Sequence, residues 1–349
     1  MKDFFLNVEI YKIFIIIFFN IVIFSLINIL FLKKNFLIDN KNFSKHKSFA
    51  NTEIVPLSGG IVLLIGCLSI NLFNSLINNI LIAATFFVGF LSDTQRLNAP
   101  KKRLLVQIFI VLFFVYINHL LIKSIRIPLL DIYFEYTAIS IIFTTFCLLV
   151  LMNGANFIDG INLQCSGYFF VILTTILYLD KSIIDFINLD IIYVTYSFLI
   201  CFIFFNFFNK SYLGDGGAYL LSLIVGFILI NFYNTSNVSP YFIALLLWYP
   251  AFEIFFSIIR KIYVTKLNPD QPDLKHLHHL LLNFFNKNFI LNKKFSSSIT
   301  GLIINFFNLI IFYIGALFLY NTKILVTLIL FCIIVYFLLY VILLKIKKI

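Results

Sequence analysis

Long apolar runs recur from one end of the chain to the other, separated by short polar segments. A run of about 20 apolar residues crosses a hydrocarbon core of about 30 Å at about 1.5 Å per residue, so each run is a candidate membrane span. The runs lie at 11–32, 54–73, 79–91, 104–122, 137–152, 167–179, 191–207, 219–233, 240–262, 299–320 and 324–344. The pattern predicts an all-α, polytopic transmembrane helix bundle of about 10–11 spans. We expect residues 1–349 to form one membrane-embedded domain.

Composition narrows the class of protein. Apolar residues make up 62% of the chain and charged residues 12%, against roughly 25% charged residues in soluble domains. This balance excludes an ordinary soluble globular fold. The first run, Ile13 to Leu32, is longer than the apolar region of a signal peptide, which has about 7–15 residues, so we expect a retained anchor. The five cysteines are an odd number without metal-ligand spacing and carry no functional signal.

The chain has a net charge of +11, and the positions of its basic residues along the chain predict its orientation in the membrane. Most of the 26 Lys and Arg residues fall in segments 33–53, 92–103 and 260–298 and at the C-terminus, all on one side of the predicted bundle. The positive-inside rule then predicts the N-terminus outside and the C-terminus in the cytoplasm, with the acidic segment 180–190 outside. The charge therefore indicates a membrane surface, and we expect no nucleic-acid partner.

Polar residues cluster on the predicted cytoplasmic side, at the ends of apolar runs. The clusters are Gly89 to Asp93, Asn153 to Gly160, Leu213 to Gly217, and His276 to His279. An ionisable group close to a membrane is costly unless it has a partner or a function, so these clusters form the candidate site. A transporter would instead carry such groups near the bilayer midplane.

The residue types in these clusters favour metal-assisted phosphoryl chemistry. Asp93, Asp159 and Asp215 are carboxylates with glycines nearby, and hard oxygen ligands suit Mg²⁺, with Mn²⁺ as the second choice. Glycines let the backbone approach phosphate, and the three histidines suit a pyrophosphate. No cysteine accompanies those histidines, so a structural zinc site is disfavoured. A lipid is then the expected acceptor.

At these positions the chain resembles the polyprenyl-phosphate N-acetylhexosamine-1-phosphate transferases, which are related to phospho-MurNAc-pentapeptide translocase. The supporting stretches are Leu57 to Gly60, Gly89 to Asp93 with Lys101, Lys102, Arg103 and Gln107 downstream, Asn153 to Gly160, Leu213 to Gly217, Pro250 to Glu253, and His276-Leu277-His278-His279. The resemblance implies a UDP-N-acetylhexosamine donor, an undecaprenyl-type phosphate acceptor, Mg²⁺ and release of UMP. It also implies a bacterial inner membrane, a cytoplasmic active site and the first step of a cell-envelope glycan such as O-antigen, common antigen or teichoic acid.

The same resemblance implies roles for individual residues. The implied catalytic residues are Asp93, Asp159 and Asp215, of which Asp215 and Asp93 hold the metal. The implied substrate-binding residues are Asn153, Asn156, Asn162, Gly214, His276, His278, His279 and Lys101.

Two positions depart from the family pattern. Ser92 stands where the family usually has the first of two paired aspartates, a proposed proton acceptor from the lipid phosphate. A serine cannot take that role, but a phosphate ester with a second pKa of about 6 is already largely ionised near neutral pH, so a base is dispensable. Asp93 would then position the metal or the lipid phosphate. Asn162 stands where the family often carries another aspartate, and its amide can still hydrogen-bond the nucleotide.

Simpler interpretations of these residues stay open. Asp215 can make a turn or cap a helix, and Asp159 with Asn156 can form an Asx-turn. The histidines can be the solvated face of an interfacial helix, and Lys101 to Arg103 can anchor to lipid headgroups. Glu253, deep in the ninth run, is either a structural hydrogen-bond partner or a functional group.

Alternative functions also stay open: a translocase-like enzyme, a transporter or flippase, and an inactive paralogue. Leu277 interrupts the three adjacent histidines that are typical of the translocase branch, which favours the simpler UDP-HexNAc branch. The identity of the sugar and the oligomeric state, a homodimer included, are undetermined by the sequence.

Overall fold

A computed structural model describes residues 2–39, 54–69, 73, 75–179, 189–266, 275–288 and 293–348 of the chain. The helices are α1 (Lys2–Lys34), α2 (Gly59–Ser69), α3 (Leu76–Asp93), α4 (Pro100–Ile117), α5 (Pro128–Phe134), α6 (Thr137–Ile158), α7 (Gln164–Tyr178), α8 (Leu189–Phe207), α9 (Gly214–Thr235), α10 (Pro240–Leu246), α11 (Trp248–Ile259), α12 (Leu277–Asn288), α13 (Lys293–Leu317) and α14 (Thr322–Lys348). A π-helical turn, Arg260–Thr265, continues α11. Strands β1 (Ile38–Asp39) and β2 (Val55–Pro56) pair antiparallel. The predicted all-α polytopic bundle is confirmed.

The number of full spans is smaller than the number of apolar runs. Within the described residues, seven helices are long and apolar enough to cross a membrane, and the bent pair α10–α11 could add an eighth. The predicted span 54–73 contains only the 11-residue helix α2, which at about 1.5 Å per residue covers about half of the hydrocarbon core. The predicted span 167–179 corresponds to α7, which has 15 residues. Both are shorter apolar helices inside the bundle. The predicted span 104–122 corresponds to α4, which ends at Ile117 and is not among the seven long apolar helices.

Several predicted boundaries shift toward the polar clusters. Helix α6 continues six residues beyond the apolar run that ends at residue 152, so Asn153 and Asn156 lie on the helix rather than in a loop. Helix α9 begins at Gly214 rather than at residue 219. The catalytic candidates are therefore attached to rigid helix ends.

The predicted span 240–262 is wrong as a single helix, because it bends by 69° between α10 and α11. Pro250 lacks an N–H group and cannot donate to the Leu246 carbonyl four residues earlier. The buried Tyr168 hydroxyl donates to that carbonyl at 2.9 Å and accepts from the Tyr249 N–H at 3.3 Å. One side chain from α7 thus satisfies the backbone at the break.

Helix α9 is the central element of the bundle, and glycines allow its neighbours to approach closely. A Cβ atom on Gly89 of α3 would lie 2.3 Å from the Gly216 nitrogen. A Cβ atom on Gly60 of α2 would lie 2.5 Å from the Gly217 nitrogen. Small residues at such crossings let two helix backbones touch, which brings the C-terminal end of α3 onto the first turn of α9.

The polar clusters gather at one end of the bundle, as the predicted topology requires. There the end of α3 bonds to the first turn of α9, the end of α6 bonds to Tyr219 of α9, and the turn after α6 lies against the histidines. Other contacts define the opposite end: Asn78 bonds to Asn118, and Arg126 donates to the Tyr320 carbonyl. Residues 180–188 of the acidic segment lie outside the described residues.

Candidate functional site

Asp93 caps the N-terminus of the central helix α9. Its Oδ1 accepts from the Asp215 N–H at 3.0 Å, and its Oδ2 accepts from the Gly216 N–H at 3.2 Å. Helix N-termini have free N–H groups and a partial positive charge, so a carboxylate is stabilised there. Gly214 has φ +75°, and a Cβ atom on it would lie 2.8 Å from Asp93 Oδ2. Glycine is therefore needed for this cap.

Asp215 projects from the same turn into a cluster with Ser92 and Arg103. The Ser92 hydroxyl donates to Asp215 Oδ2 at 2.7 Å. Arg103 Nη1 lies 2.5 Å from Ser92 Oγ and 3.3 Å from Asp215 Oδ2. About a quarter of the Asp215 and Arg103 side chains is exposed. The serine thus bridges a carboxylate and a guanidinium at the edge of the bundle.

A second layer of polar side chains fixes Arg103 in place. The guanidinium lies over the Tyr219 ring, 5.9 Å from its centroid. The Tyr219 hydroxyl accepts from Asn156 Nδ2 at 2.7 Å, and Asn153 Nδ2 donates to the buried Gln107 Oε1 at 3.1 Å. Asn153 and Asn156 therefore connect α6 to α4 and α9, and substrate contact for either amide stays a prediction.

Gly160, directly after Asp159, lies against two of the three histidines. A Cβ atom on Gly160 would be 2.6 Å from His278 Nε2 and 2.8 Å from His279 Nε2, so only glycine lets this turn approach both imidazoles. Asp159 follows the last residue of α6 and is half-buried. The Asp159 turn and the histidine segment, more than a hundred residues apart in sequence, are thus neighbours.

The histidines are not the solvated face of an interfacial helix. His276, His278 and His279 are all buried, and His278 is 0% exposed. Burial, reinforced by the neighbouring His279 and His276, lowers the pKa of His278 well below its usual value. The His278 ring therefore stays neutral at physiological pH. His276 Nδ1 lies 2.8 Å from Oε1 of the buried Glu253.

A small cleft opens to solvent beside Asp159. Its walls are Asp159, Gly160, Ile161, Asn162, Asn206, Tyr212 and Leu213. The Asn162 side chain is 4% exposed and donates to the Asn206 carbonyl at 3.0 Å and to Asn209 Oδ1 at 2.5 Å. Its amide N–H groups hold α7 against the end of α8, and nucleotide binding by Asn162 stays a prediction.

The donor chemistry of this end fits a magnesium ion. Mg²⁺ usually takes one or two protein carboxylates and completes its shell with waters and substrate phosphates. Asp93 and Asp215 lie next to each other, because the Asp215 N–H donates to the Asp93 carboxylate. Within the part of the chain that the structure describes, no group of three or more His, Cys, Asp or Glu side chains is arranged as a metal site. Magnesium binding by the aspartate pair stays a prediction.

The sequence singles out Lys101 among three consecutive basic residues, whereas the structure brings Arg103 to Asp215. Lys101 is exposed on the first turn of α4. Helical spacing distinguishes Arg103 from Lys101. Gln107, which is buried, lies four residues after Arg103 and therefore on the same face of α4. Tyr219 and Tyr336, which bond to Asn156 and Glu253, carry no motif and were missed.

Comparison with known proteins finds relatives with similar sequences. The sequence profile of glycosyl transferase family 4 matches residues 75–233. The probable undecaprenyl-phosphate N-acetylglucosaminyl 1-phosphate transferase of Bacillus subtilis is 26% identical over 242 residues, covering 66% of this chain and 67% of the relative. The undecaprenyl-phosphate alpha-N-acetylglucosaminyl 1-phosphate transferase of Thermotoga maritima is 35% identical over 71 residues, covering 20% of this chain and 23% of the relative. The matched segment contains Asp93, Asp159 and Asp215, and over this segment the multi-span membrane protein is similar to glycosyl transferase family 4.

Proposed function

We propose that the protein transfers an N-acetylhexosamine 1-phosphate from a UDP-sugar to undecaprenyl phosphate, giving an undecaprenyl-diphospho-sugar and UMP. The observation that carries the proposal is the meeting of Asp215 and Arg103 with the Asp159 turn and the histidines at one end of a membrane-spanning bundle. The names of both relatives support undecaprenyl phosphate as the acceptor and N-acetylglucosamine as the first sugar to test. The step would start a cell-envelope glycan.

In this reaction an oxygen of the lipid phosphate attacks the β-phosphorus of the donor. The bond from that phosphorus to the bridging oxygen breaks, and UMP leaves with that oxygen. Both reactants are anions, so the protein must supply positive charge. Arg103 offers a guanidinium on one side, and ring nitrogens of His278 and His279 face the Asp159 turn on the other. Magnesium held by Asp215, with Asp93 beside it, would neutralise further charge on the diphosphate.

Purified protein with undecaprenyl phosphate, Mg²⁺ and a panel of UDP-sugars tests the proposal, with UMP as the readout. The panel includes UDP-GlcNAc, UDP-GalNAc and UDP-MurNAc-pentapeptide. We expect UMP only when lipid phosphate and Mg²⁺ are both present, and chelation of the metal should stop the reaction. If UDP-MurNAc-pentapeptide were the only donor to react, the translocase-like alternative would be indicated. If no donor reacted, an inactive paralogue would be indicated.

Orientation in the membrane is part of the proposal, with the site on the cytoplasmic side. Among the described residues, most Lys and Arg side chains lie toward the site end, whereas Lys123 and Arg126 lie at the opposite end with Asp131 and Glu135. In a cysteine-free background, we expect Lys123→Cys to react with an impermeant maleimide from outside and Lys101→Cys only after the membrane is permeabilised. The reverse pattern would overturn this orientation.

Ser92→Asp tests whether the reaction needs a general base. The new carboxylate would lie against Asp215, because Ser92 Oγ is 2.7 Å from Asp215 Oδ2. We expect no gain and a fall of up to about tenfold, since like charges repel and the lipid phosphate attacks as its own dianion. For the same reason the wild-type rate should rise with pH through about 6.

Ser92→Ala is the matched control, because it removes the same hydroxyl without adding charge. A required base would give the opposite result, since positioned proton transfer is worth about 10²–10⁴-fold. A gain of that size from Ser92→Asp, accompanied by a shifted pH profile, would show that the natural protein lacks a needed base.

A further inference from the structure

Glu253 is a buried carboxylate with a hydrogen-bond partner at each of its two oxygens. It lies on α11 and is 1% exposed. His276 Nδ1 lies 2.8 Å from Oε1, and the Tyr336 hydroxyl donates to Oε2 at 2.7 Å. Tyr336 is itself 1% exposed and lies on α14, the last helix of the chain, 83 residues from Glu253. The last helix thus contacts the histidine cluster through one carboxylate.

The chemistry of this contact determines where the His276 proton lies. An ionised carboxylate has acceptor atoms only, so each of its hydrogen-bond partners must donate. Nδ1 of His276 must then carry the proton toward Glu253. Such second partners fix the tautomer and the ring orientation of a histidine. The other nitrogen, Nε2, is left on the far side of the ring from Glu253.

We propose that Tyr336 is a positioning residue for His276, acting through Glu253. Without the tyrosine hydroxyl, one carboxylate oxygen loses its bond and the carboxylate is free to rotate away from Nδ1. The Tyr336 ring is held by aromatic neighbours on α11, with centroids 4.9 Å from Phe252 and 5.3 Å from Phe256, so the hydroxyl is aimed by packing. Tyr336 lies outside residues 75–233, the segment that matches the family profile. The histidine cluster therefore depends on the last helix for its orientation.

The inference rests on the proposed function for its effect on turnover, but not for its structural test. Tyr336→Phe removes a single oxygen atom and keeps the ring contacts. Tyr340→Phe is the matched control, because Tyr340 is buried on the same helix and lies parallel to Tyr336 at 6.2 Å. Protein labelled with ¹⁵N-histidine reports the tautomer of each ring, and the His276 signals are identified by their loss in His276→Gln.

The nuclear magnetic resonance measurement decides the proposal. We expect wild-type protein and Tyr340→Phe to show His276 protonated at Nδ1, and Tyr336→Phe to show a mixture of tautomers. Glu253→Gln is the second variant, and the same mixture is expected because its amide has one acceptor oxygen instead of two. A wild-type His276 signature in Tyr336→Phe would overturn the proposal.

Turnover gives a second readout. A purely structural role for Tyr336 would affect the kinetics of both substrates, whereas a positioning role affects mainly the UDP-sugar. In Tyr336→Phe we expect kcat/KM for the UDP-sugar to fall about tenfold, the lower end of the range for partners of functional histidines. The KM for undecaprenyl phosphate should change less than about twofold, because His276 is proposed to act on the nucleotide diphosphate. Wild-type protein that forms no UMP at all would refute the proposed function, while the tautomer measurement would still test Tyr336.

Discussion

Asp215→Asn is expected to lower turnover by about 10³-fold, or about 4 kcal/mol, while the protein stays folded. The asparagine oxygen can still accept from the Ser92 hydroxyl, which lies 2.7 Å from the present carboxylate. The lost charge has no substitute, because an amide neither balances Arg103 nor stabilises Mg²⁺ beside a diphosphate. UMP formation by the purified variant, with its thermal unfolding in detergent, measures both parts of the expectation.

Glu135→Gln is the control for Asp215→Asn. Glu135 is an exposed carboxylate beside α5, at the opposite end of the bundle, so its neutralisation should leave turnover unchanged. Near-native turnover of Asp215→Asn would remove Asp215 from the reacting centre and leave it as a helix-end residue.

Gly89→Ala is expected to give the second large effect, through geometry rather than charge. The added methyl group would lie 2.3 Å from the Gly216 nitrogen and 2.5 Å from the Asp215 carbonyl carbon. Backbone atoms cannot rotate away, so α3 and α9 must move apart. Overpacking of this kind costs about 1–3 kcal/mol of stability. A displacement of about 1 Å between Asp93 and Asp215 should lower turnover by about 10²-fold.

Gly66→Ala provides the matched control for Gly89→Ala. Gly66 lies on the neighbouring helix α2, and a methyl group there would meet nothing within 4 Å. Since alanine is the better helix former, we expect stability to be unchanged or slightly raised. Equal thermal midpoints and equal turnover for the two variants would show that the close crossing of α3 and α9 is not needed for the site.

The apolar pattern predicts the class of fold because span length and apolar content are local properties of the chain. Helix ends are less predictable, since they depend on partners elsewhere. Helix α6 continues through Asn153 and Asn156 because Gln107 and Tyr219, on other helices, satisfy their amides. Pro250 signals a break in the chain, but the hydroxyl of Tyr168 that stabilises that break is a tertiary contact.

The candidate site is predictable as a set of motifs and less so as a set of contacts. Charged and glycine-rich residues at span ends are visible in the sequence, and the structure brings Asp93 and Asp215 together. Arg103 and Lys101 are equivalent by composition, and only the orientation of α4 distinguishes them. The hydrogen bond from Tyr336 to Glu253 joins two apolar segments that are 83 residues apart in sequence. A contact of this kind cannot be predicted from local sequence patterns.

The fate of the β-phosphorus tests the central claim most directly. Phospho-sugar transfer moves that phosphorus to the lipid, whereas ordinary glycosyl transfer leaves it in UDP. With UDP-GlcNAc labelled with ³²P at the β-position, purified protein and undecaprenyl phosphate, we expect the label to enter the lipid fraction in step with the release of unlabelled UMP. Asp215→Asn should lower both by about 10³-fold. Label that remains in UDP while the sugar enters the lipid would contradict the account.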